Sequence, residues 1–238
     1  MTDRILGVLG GMGPLASAQF MLRLTLLTPA AKDQDHIPAV LWSDPRIPDR
    51  GDALRPGGTD PLPWLLRGIE GLKAAGCGAI VIPCNTAHIW YDRMAAAASI
   101  PMPHIVDAAA TDLARIGIRP GRIGLMGTAT TLRTKLYQQR LTRLGWDCIE
   151  PTEAQMERRV TPSIALVKAN QVADAYEPLA EVVNDLAARG AQAVVLGCTE
   201  IPLGIQAGPL DRLTVPVIDT IDALARAAIA WAQGAARG

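Results

Sequence analysis

Of the 238 residues, 49% are hydrophobic and 19% charged, which is enough apolar material for a buried core and excludes disorder as the main state. Lys plus Arg and Asp plus Glu both number 23, so no basic field gathers nucleic acid or anionic lipid; any bound anion is held by a few placed groups. No run approaches the roughly 20 apolar residues of a membrane span, since Asp222, Arg226 and Gln233 interrupt even the alanine-rich C-terminal stretch. The opening MTDRILGVLGG carries an acid and leads straight into a strand-like run, without the basic segment and cleavage site of a secretory signal, so a cytoplasmic protein is expected. Cys77, Cys84, Cys148 and Cys198 are too few and scattered for a disulfide scaffold and show no zinc-ligand spacing. They read as free thiols, with no metal site expected.

Along the chain, strand-like runs alternate with helix-like ones: Ile5 to Leu9 then Leu15 to Leu27, Ala39 to Trp42 then Trp64 to Ala75, Ala79 to Ile82 then Thr86 to Ala98. This alternation predicts βαβ units with a parallel sheet. In the Trp64 segment Leu65, Ile69 and Leu72 share one helical face, and Gly76 stands where a C-terminal cap belongs. The pattern then restarts. Ile123 to Met126 is followed by a helix to Leu144, Trp146 to Ile149 by a helical region, and Ala191 to Leu196 by a helix from Thr199.

The restart is a repeat. Gly76 stands eight residues before Cys84, and Gly190 eight before Cys198, with the short β-type runs GAIVIP and QAVVLG between. Weaker matches pair RILGVLGG with RIGLMGTA, and IPMPHIVD with VPVID. Two duplicated, pseudo-symmetric α/β lobes are predicted, each a mostly parallel sheet flanked by helices, with the active site in a cleft between them. The last strand and helix, Val215 to Gln233, are too short to stand alone and are assigned back to the first lobe, giving 1–106 plus 215–238 and 107–214. No low-complexity linker separates the halves.

In parallel sheets ligands bind beyond the carboxyl ends of the strands, where both Cys84 and Cys198 are placed. A following helix N-terminus would favour a thiolate and lower the thiol pKa. Taken singly, each cysteine reads as a small buried residue ending a core strand. Taken together, two thiols at equivalent points of two lobes are what a two-base proton transfer needs. Cys77 and Cys148 lack this symmetry and are assigned to structure.

Ile5-Leu6-Gly7-Val8-Leu9-Gly10-Gly11-Met12-Gly13-Pro14, Pro83-Cys84-Asn85-Thr86-Ala87-His88 and Gly197-Cys198-Thr199-Glu200 resemble the cofactor-independent aspartate/glutamate racemase family, in its aspartate racemase branch. The resemblance runs nearly end to end. It includes Pro45-Arg46-Ile47-Pro48-Asp49-Arg50 and Lys168-Ala169-Asn170, segments that look like those bringing an Arg and a Lys to the substrate's side-chain carboxylate. Relatives devoted to glutamate carry a His after the second Cys-Thr, so Glu200 argues against that branch. The resemblance implies an isomerase without pyridoxal phosphate or metal: one cysteine thiolate removes the α-proton of an amino acid and the other, as thiol, delivers one to the opposite face. It also implies a homodimer. Racemisation requires a base on one face and an acid on the other, with roles that swap with direction. The carbanion needs donors fixed around the α-carboxylate. Asn85, Thr86, Thr128 and Thr199 are the candidates, with Met12 and Glu200 lining the substrate and Arg50 and Lys168 gripping its distal carboxylate.

Read without the resemblance, Arg50 and Lys168 are surface charges, although Arg50 lies in the Pro- and Gly-rich loop Asp44 to Pro63 after the second strand. His88 follows Cys84 by four residues. A Cys/His pair would suggest an acyl-transfer nucleophile, which leaves the mirrored cysteine unexplained, so His88 is given a secondary role at most. His36 and His104 read as loop and strand-edge residues.

The main rival begins with Gly11-Met12-Gly13-Pro14-Leu15-Ala16, a loose dinucleotide fingerprint, but Asp33 and Asp35 precede the second strand and Asp44 follows it too late for the confirming acid. Other rivals are a hydantoin racemase, maleate isomerase or malonate decarboxylase chemistry on the same two-cysteine scaffold, and a non-catalytic amino-acid sensor.

Overall fold

The computed structural model describes residues 4–234, and the chain divides into two compact units: residues up to Ala108 together with Ile221 onward, and Ala109–Thr220. The first runs β1 (Ile5–Gly10), α1 (Pro14–Leu27), β2 (Ala39–Ser43), α2 (Leu62–Ala74), β3 (Cys77–Val81), α3 (Tyr91–Ala98) and α4 (Ile105–Arg115), and the unit boundary falls inside α4. Its sheet is parallel in the order β2-β1-β3, with Val8 opposite Leu41 on one side and Val81 on the other. The central strand is the apolar one: Leu6, Val8 and Leu9 of β1 are fully buried, while the edge strand β2 is only half-buried. Leu65, Ile69 and Leu72 of α2 supply one wall of the core, as their spacing predicts.

The second unit runs β4 (Arg122–Gly127), α5 (Ala129–Arg133), α6 (Leu136–Thr142), β5 (Asp147–Ile149), α7 (Glu153–Gln155), α8 (Thr161–Lys168), α9 (Tyr176–Ala188), β6 (Val194–Gly197), α10 (Ile201–Gln206) and β7 (Val217–Asp219). Its sheet is parallel in the order β5-β4-β6-β7. A π-helical turn, Met156–Val160, joins α7 to α8. The long helix expected up to Leu144 is broken at Lys135, which takes a left-handed φ of 56° between α5 and α6. From Ile221, α11 (Thr220–Ala232) belongs to the first unit, where Arg23 clamps Asp222 through two bonds of 2.5 and 2.6 Å and Arg4 donates to the Trp231 carbonyl. None of the described helices is long and apolar enough to cross a membrane.

The duplication is visible in backbone hydrogen bonds. The α2 and α9 helices end alike, on Gly76 (φ 81°) and Gly190 (φ 95°), whose N–H groups donate to Lys73 and Ala187 carbonyls, both at 2.9 Å. Four residues before each cysteine, the N–H of Ile80 donates to Pro101 and that of Val194 to Pro216, both at 3.0 Å. After Pro216 the chain continues pairing as β7, with Ile218 two residues on. After Pro101 the corresponding position is Pro103, which has no N–H to give, and among the described residues only the second sheet has a fourth strand. Two expectations change accordingly. The final strand, assigned from the sequence to the first lobe, pairs with β6 in the second unit and only the helix after it belongs to the first. His104, expected at a strand edge, stands in an irregular segment before α4.

A methyl group added at Gly76 or Gly190 meets nothing closer than 3.6 Å, so replacement by Ala isolates the conformational penalty. Gly76→Ala and Gly190→Ala are each expected to lower unfolding free energy by about 1 kcal/mol, measured as a drop in urea midpoint at unchanged m-value.

Candidate active site

In each unit a buried strand runs out at a buried thiol. After β3, Ile82 and Pro83 lead to Cys84, whose N–H turns back onto the Ile82 carbonyl at 2.8 Å. The residue is 5% exposed and sits in one apolar cluster with Met12, Ile82, Ala87 and Trp90. Asn85 and Thr86, both buried, follow it into a short 3₁₀ turn, Thr86–Trp90, where a helix running from Thr86 to Ala98 was expected. After β6, Cys198 is 4% exposed, and Thr199 and Glu200 are buried with it ahead of α10.

The surroundings of Cys198 are polar and specific. Its Sγ donates to Glu200 Oε2 at 3.1 Å, and the Thr199 hydroxyl donates to the same oxygen at 3.3 Å. Burial pushes the Cys198 thiol well up, and the Glu200 charge adds to it; the Glu200 N–H and the charge of Lys168 act the other way. At neutral pH this thiol is therefore protonated. The expectation of a thiol pKa lowered by a helix N-terminus is corrected here: α10 has six residues, too short to outweigh burial and an adjacent carboxylate. Behind the strand, the fully buried Tyr137 hydroxyl is bonded to Thr220, whose own hydroxyl donates to the Leu196 carbonyl at 2.8 Å. Sequence reasoning missed Tyr137, because KLYQQRL carries no catalytic pattern. The other two cysteines have different settings: burial raises Cys77, and burial with Asp147 and Glu150 pushes Cys148 up to about 12.

The remaining sequence candidates fall into the two units. In the first, Met12 is buried and its carbonyl accepts from Arg50 Nη2 at 3.2 Å, while Arg50 Nη1 donates to Pro48 at 3.1 Å and Ile47 at 3.4 Å. Arg50 Nε is buried with no hydrogen-bond partner. The guanidinium is thus held by three carbonyls and keeps its charge and two of its five donors, the Nε–H among them, uncommitted. In the second, Lys168, at the exposed end of α8, is close enough to act on Cys198. Thr128 caps α5, its Oγ1 accepting the Thr131 N–H at 3.1 Å and lying 2.9 Å from the Thr131 hydroxyl. That bond uses part of the capacity assigned to it for substrate. Among the described residues no three His, Cys, Asp or Glu side chains gather as metal ligands.

The pieces of the dinucleotide reading are engaged within the protein. The Gly11 N–H donates to Ser17 Oγ at 2.9 Å, and a Cβ on Gly11 would lie 2.4 Å from the Asp44 backbone nitrogen, so this glycine (φ 92°) serves a close approach of two loops. The Asp44 carboxylate is taken by Arg46 at 2.8 and 3.0 Å, which also lowers its pKa.

Residues 9–228 match the model of the Asp/Glu/Hydantoin racemase family. The chain belongs to this family. The racemase fold is likewise that of Picrophilus torridus aspartate racemase, which superposes with a TM-score of 0.84 at 32% identity over 97% of this chain and 95% of that one. The broad specificity amino-acid racemase RacX of Bacillus subtilis is 26% identical over 233 residues, covering 94% of this chain and 96% of RacX. A glutamate racemase of Ralstonia nicotianae is 31% identical over 174 residues, 68% of this chain and 57% of its own length.

Removing the Glu200 charge takes away influences that raise the Cys198 thiol, and removing the Lys168 charge takes away one that lowers it. The pH midpoint for alkylation of Cys198, followed by peptide mass spectrometry, is expected to move down in Glu200→Gln and up in Lys168→Met.

Proposed function

We propose that this chain is an amino-acid racemase that interconverts L- and D-aspartate, and other amino acids more slowly, by proton transfer between Cys84 and Cys198 without pyridoxal phosphate or metal. The observation that carries the reading is the paired placement of the thiols: each ends the same strand of a duplicated sheet, four residues beyond the same N–H to proline bond. In one direction Cys84 as thiolate takes the α-proton while the Cys198 thiol gives its own to the other face of the same carbon; in the other direction the roles reverse. Glu200 suits Cys198 to the acid role, since it holds the proton on sulfur at the start. Once that proton is given up, a thiolate stands beside a carboxylate, so this form of the enzyme is the higher in energy and readily takes a proton back. Lys168 tempers the repulsion.

Preference for an acidic substrate is supported by Arg50 and Lys168. A guanidinium fixed by backbone carbonyls, with a buried Nε left over, suits a carboxylate that brings its own charge. The likeness to Picrophilus aspartate racemase supports aspartate, and the likeness to RacX supports a wider range.

Chiral analysis of products from acidic and neutral amino acids, incubated without added cofactor, tests the reading directly. Wild-type protein is expected to racemise aspartate and to exchange its α-hydrogen in heavy water; absence of exchange would leave a binding protein. Cys84→Ala and Cys198→Ala are each expected to lower turnover at least about 1,000-fold with the fold intact by circular dichroism, and near-normal turnover in either would end the two-base assignment. Arg50→Ala is expected to raise KM for aspartate about 10- to 100-fold, the worth of one charge-assisted bond, with little effect on alanine.

A further inference from the structure

The turn that carries Cys84 holds a second buried polar group for which the proton transfer has no use. His88 is 3% exposed, and both of its ring nitrogens meet backbone: Nδ1 lies 2.9 Å from the Cys84 carbonyl oxygen, and Nε2 accepts the N–H of Ile105, at the start of α4, at 3.3 Å. Because Nε2 accepts, the proton of the neutral ring is on Nδ1, which donates to Cys84. The lone pair that a base would need to take the Cys84 proton already faces the Ile105 N–H. A nucleophilic Cys/His pair is therefore not what this arrangement makes.

What it makes is a strut. His104, also buried, accepts the Val106 N–H on Nδ1 at 3.1 Å, so two consecutive N–H groups of the first turn of α4 end on imidazoles. His104 stands edge-on to His88 and Tyr91, with ring centroids 4.7 and 4.5 Å away. Tyr91 lies nearly parallel to His88, and its hydroxyl donates to the Met102 carbonyl at 2.5 Å. The ring is thus fixed in plane, tilt and tautomer. One edge grips the peptide of Cys84 and the other grips a helix end.

We propose that His88 is a positioning residue for Cys84: by bonding the Cys84 carbonyl to the first turn of α4, it sets the direction from which the sulfur reaches the substrate's α-carbon. Proton transfer at carbon needs reacting atoms held within about 3–3.5 Å, and an ångström of misplacement costs about 100-fold in rate. The functional half of this inference rests on the racemase reading above; the strut can be measured without any substrate.

Three variants separate its two ends. His88→Asn keeps a donor near the Nδ1 position and loses the acceptor, His88→Gln keeps an acceptor near Nε2 and loses the donor, and His88→Phe loses both. Expected are a fall in kcat of about 100-fold in His88→Phe with KM within about threefold, a similar fall in His88→Gln, and recovery to within about tenfold of wild type in His88→Asn, whose donor still reaches Cys84. The primary isotope effect with α-deuterated substrate should rise for the enantiomer whose proton Cys84 removes and not for its mirror image. Nitrogen NMR of the wild-type ring should show Nδ1 protonated and Nε2 accepting. All three variants within about threefold of wild type in kcat would overturn the proposal, as would losses that follow melting temperature alone without the isotope asymmetry, or a ring protonated on Nε2. Wild-type protein that exchanges no α-hydrogen defeats the racemase reading and with it the role of the strut in catalysis, while the NMR result separately decides the strut itself.

Discussion

Parallel strands deliver all their carboxyl ends to one edge of a sheet, and in each unit that constraint is what puts a thiol where chemistry can happen. Within its sheet β6 pairs on both sides and β3 pairs with β1; when each strand leaves, its next residues must find new partners in a loop that is still buried. Cys84 and Cys198 stand at this point of departure. With the ladder stopped, the Cys84 N–H turns back onto the Ile82 carbonyl, and the Cys198 thiol and Thr199 hydroxyl both turn to Glu200.

The scaffold is duplicated, but the electrostatics are not. Two residues past Cys84 is Thr86, and two past Cys198 is Glu200; four past Cys84 is His88, and four past Cys198 is Pro202. The first thiol is therefore governed by how its peptide is held, through a neutral imidazole, and the second by what its sulfur faces, a carboxylate and a more distant ammonium. Under the proposed two-base mechanism, mirror-image substrates meet groups that are not themselves mirror images, and this asymmetry is one way for the two protonation states to differ in energy while the reaction stays reversible.

Membership of the Asp/Glu/Hydantoin racemase family follows from a match over most of the chain. In the proposed reading, choice of substrate depends on a few side chains such as Arg50, whose guanidinium is oriented by carbonyls of two separate loops.

The alternation of apolar runs, the spacing of Leu65, Ile69 and Leu72, and the equal offsets of Gly76 and Gly190 from the cysteines were enough by themselves to settle the α/β class, the parallel sheets and the repeat, because all of these are local periodicities or distances along the chain. Proline at 103 was also in plain view, but its effect needed knowledge of the strand it fails to join. Only tertiary structure decided that β7 pairs with β6, that the Cys198 thiol is held protonated, and that His88 faces backbone on both sides. Strand pairing, desolvation and hydrogen-bond partnership depend on neighbours distant in sequence, and a residue's own pattern carries no record of them.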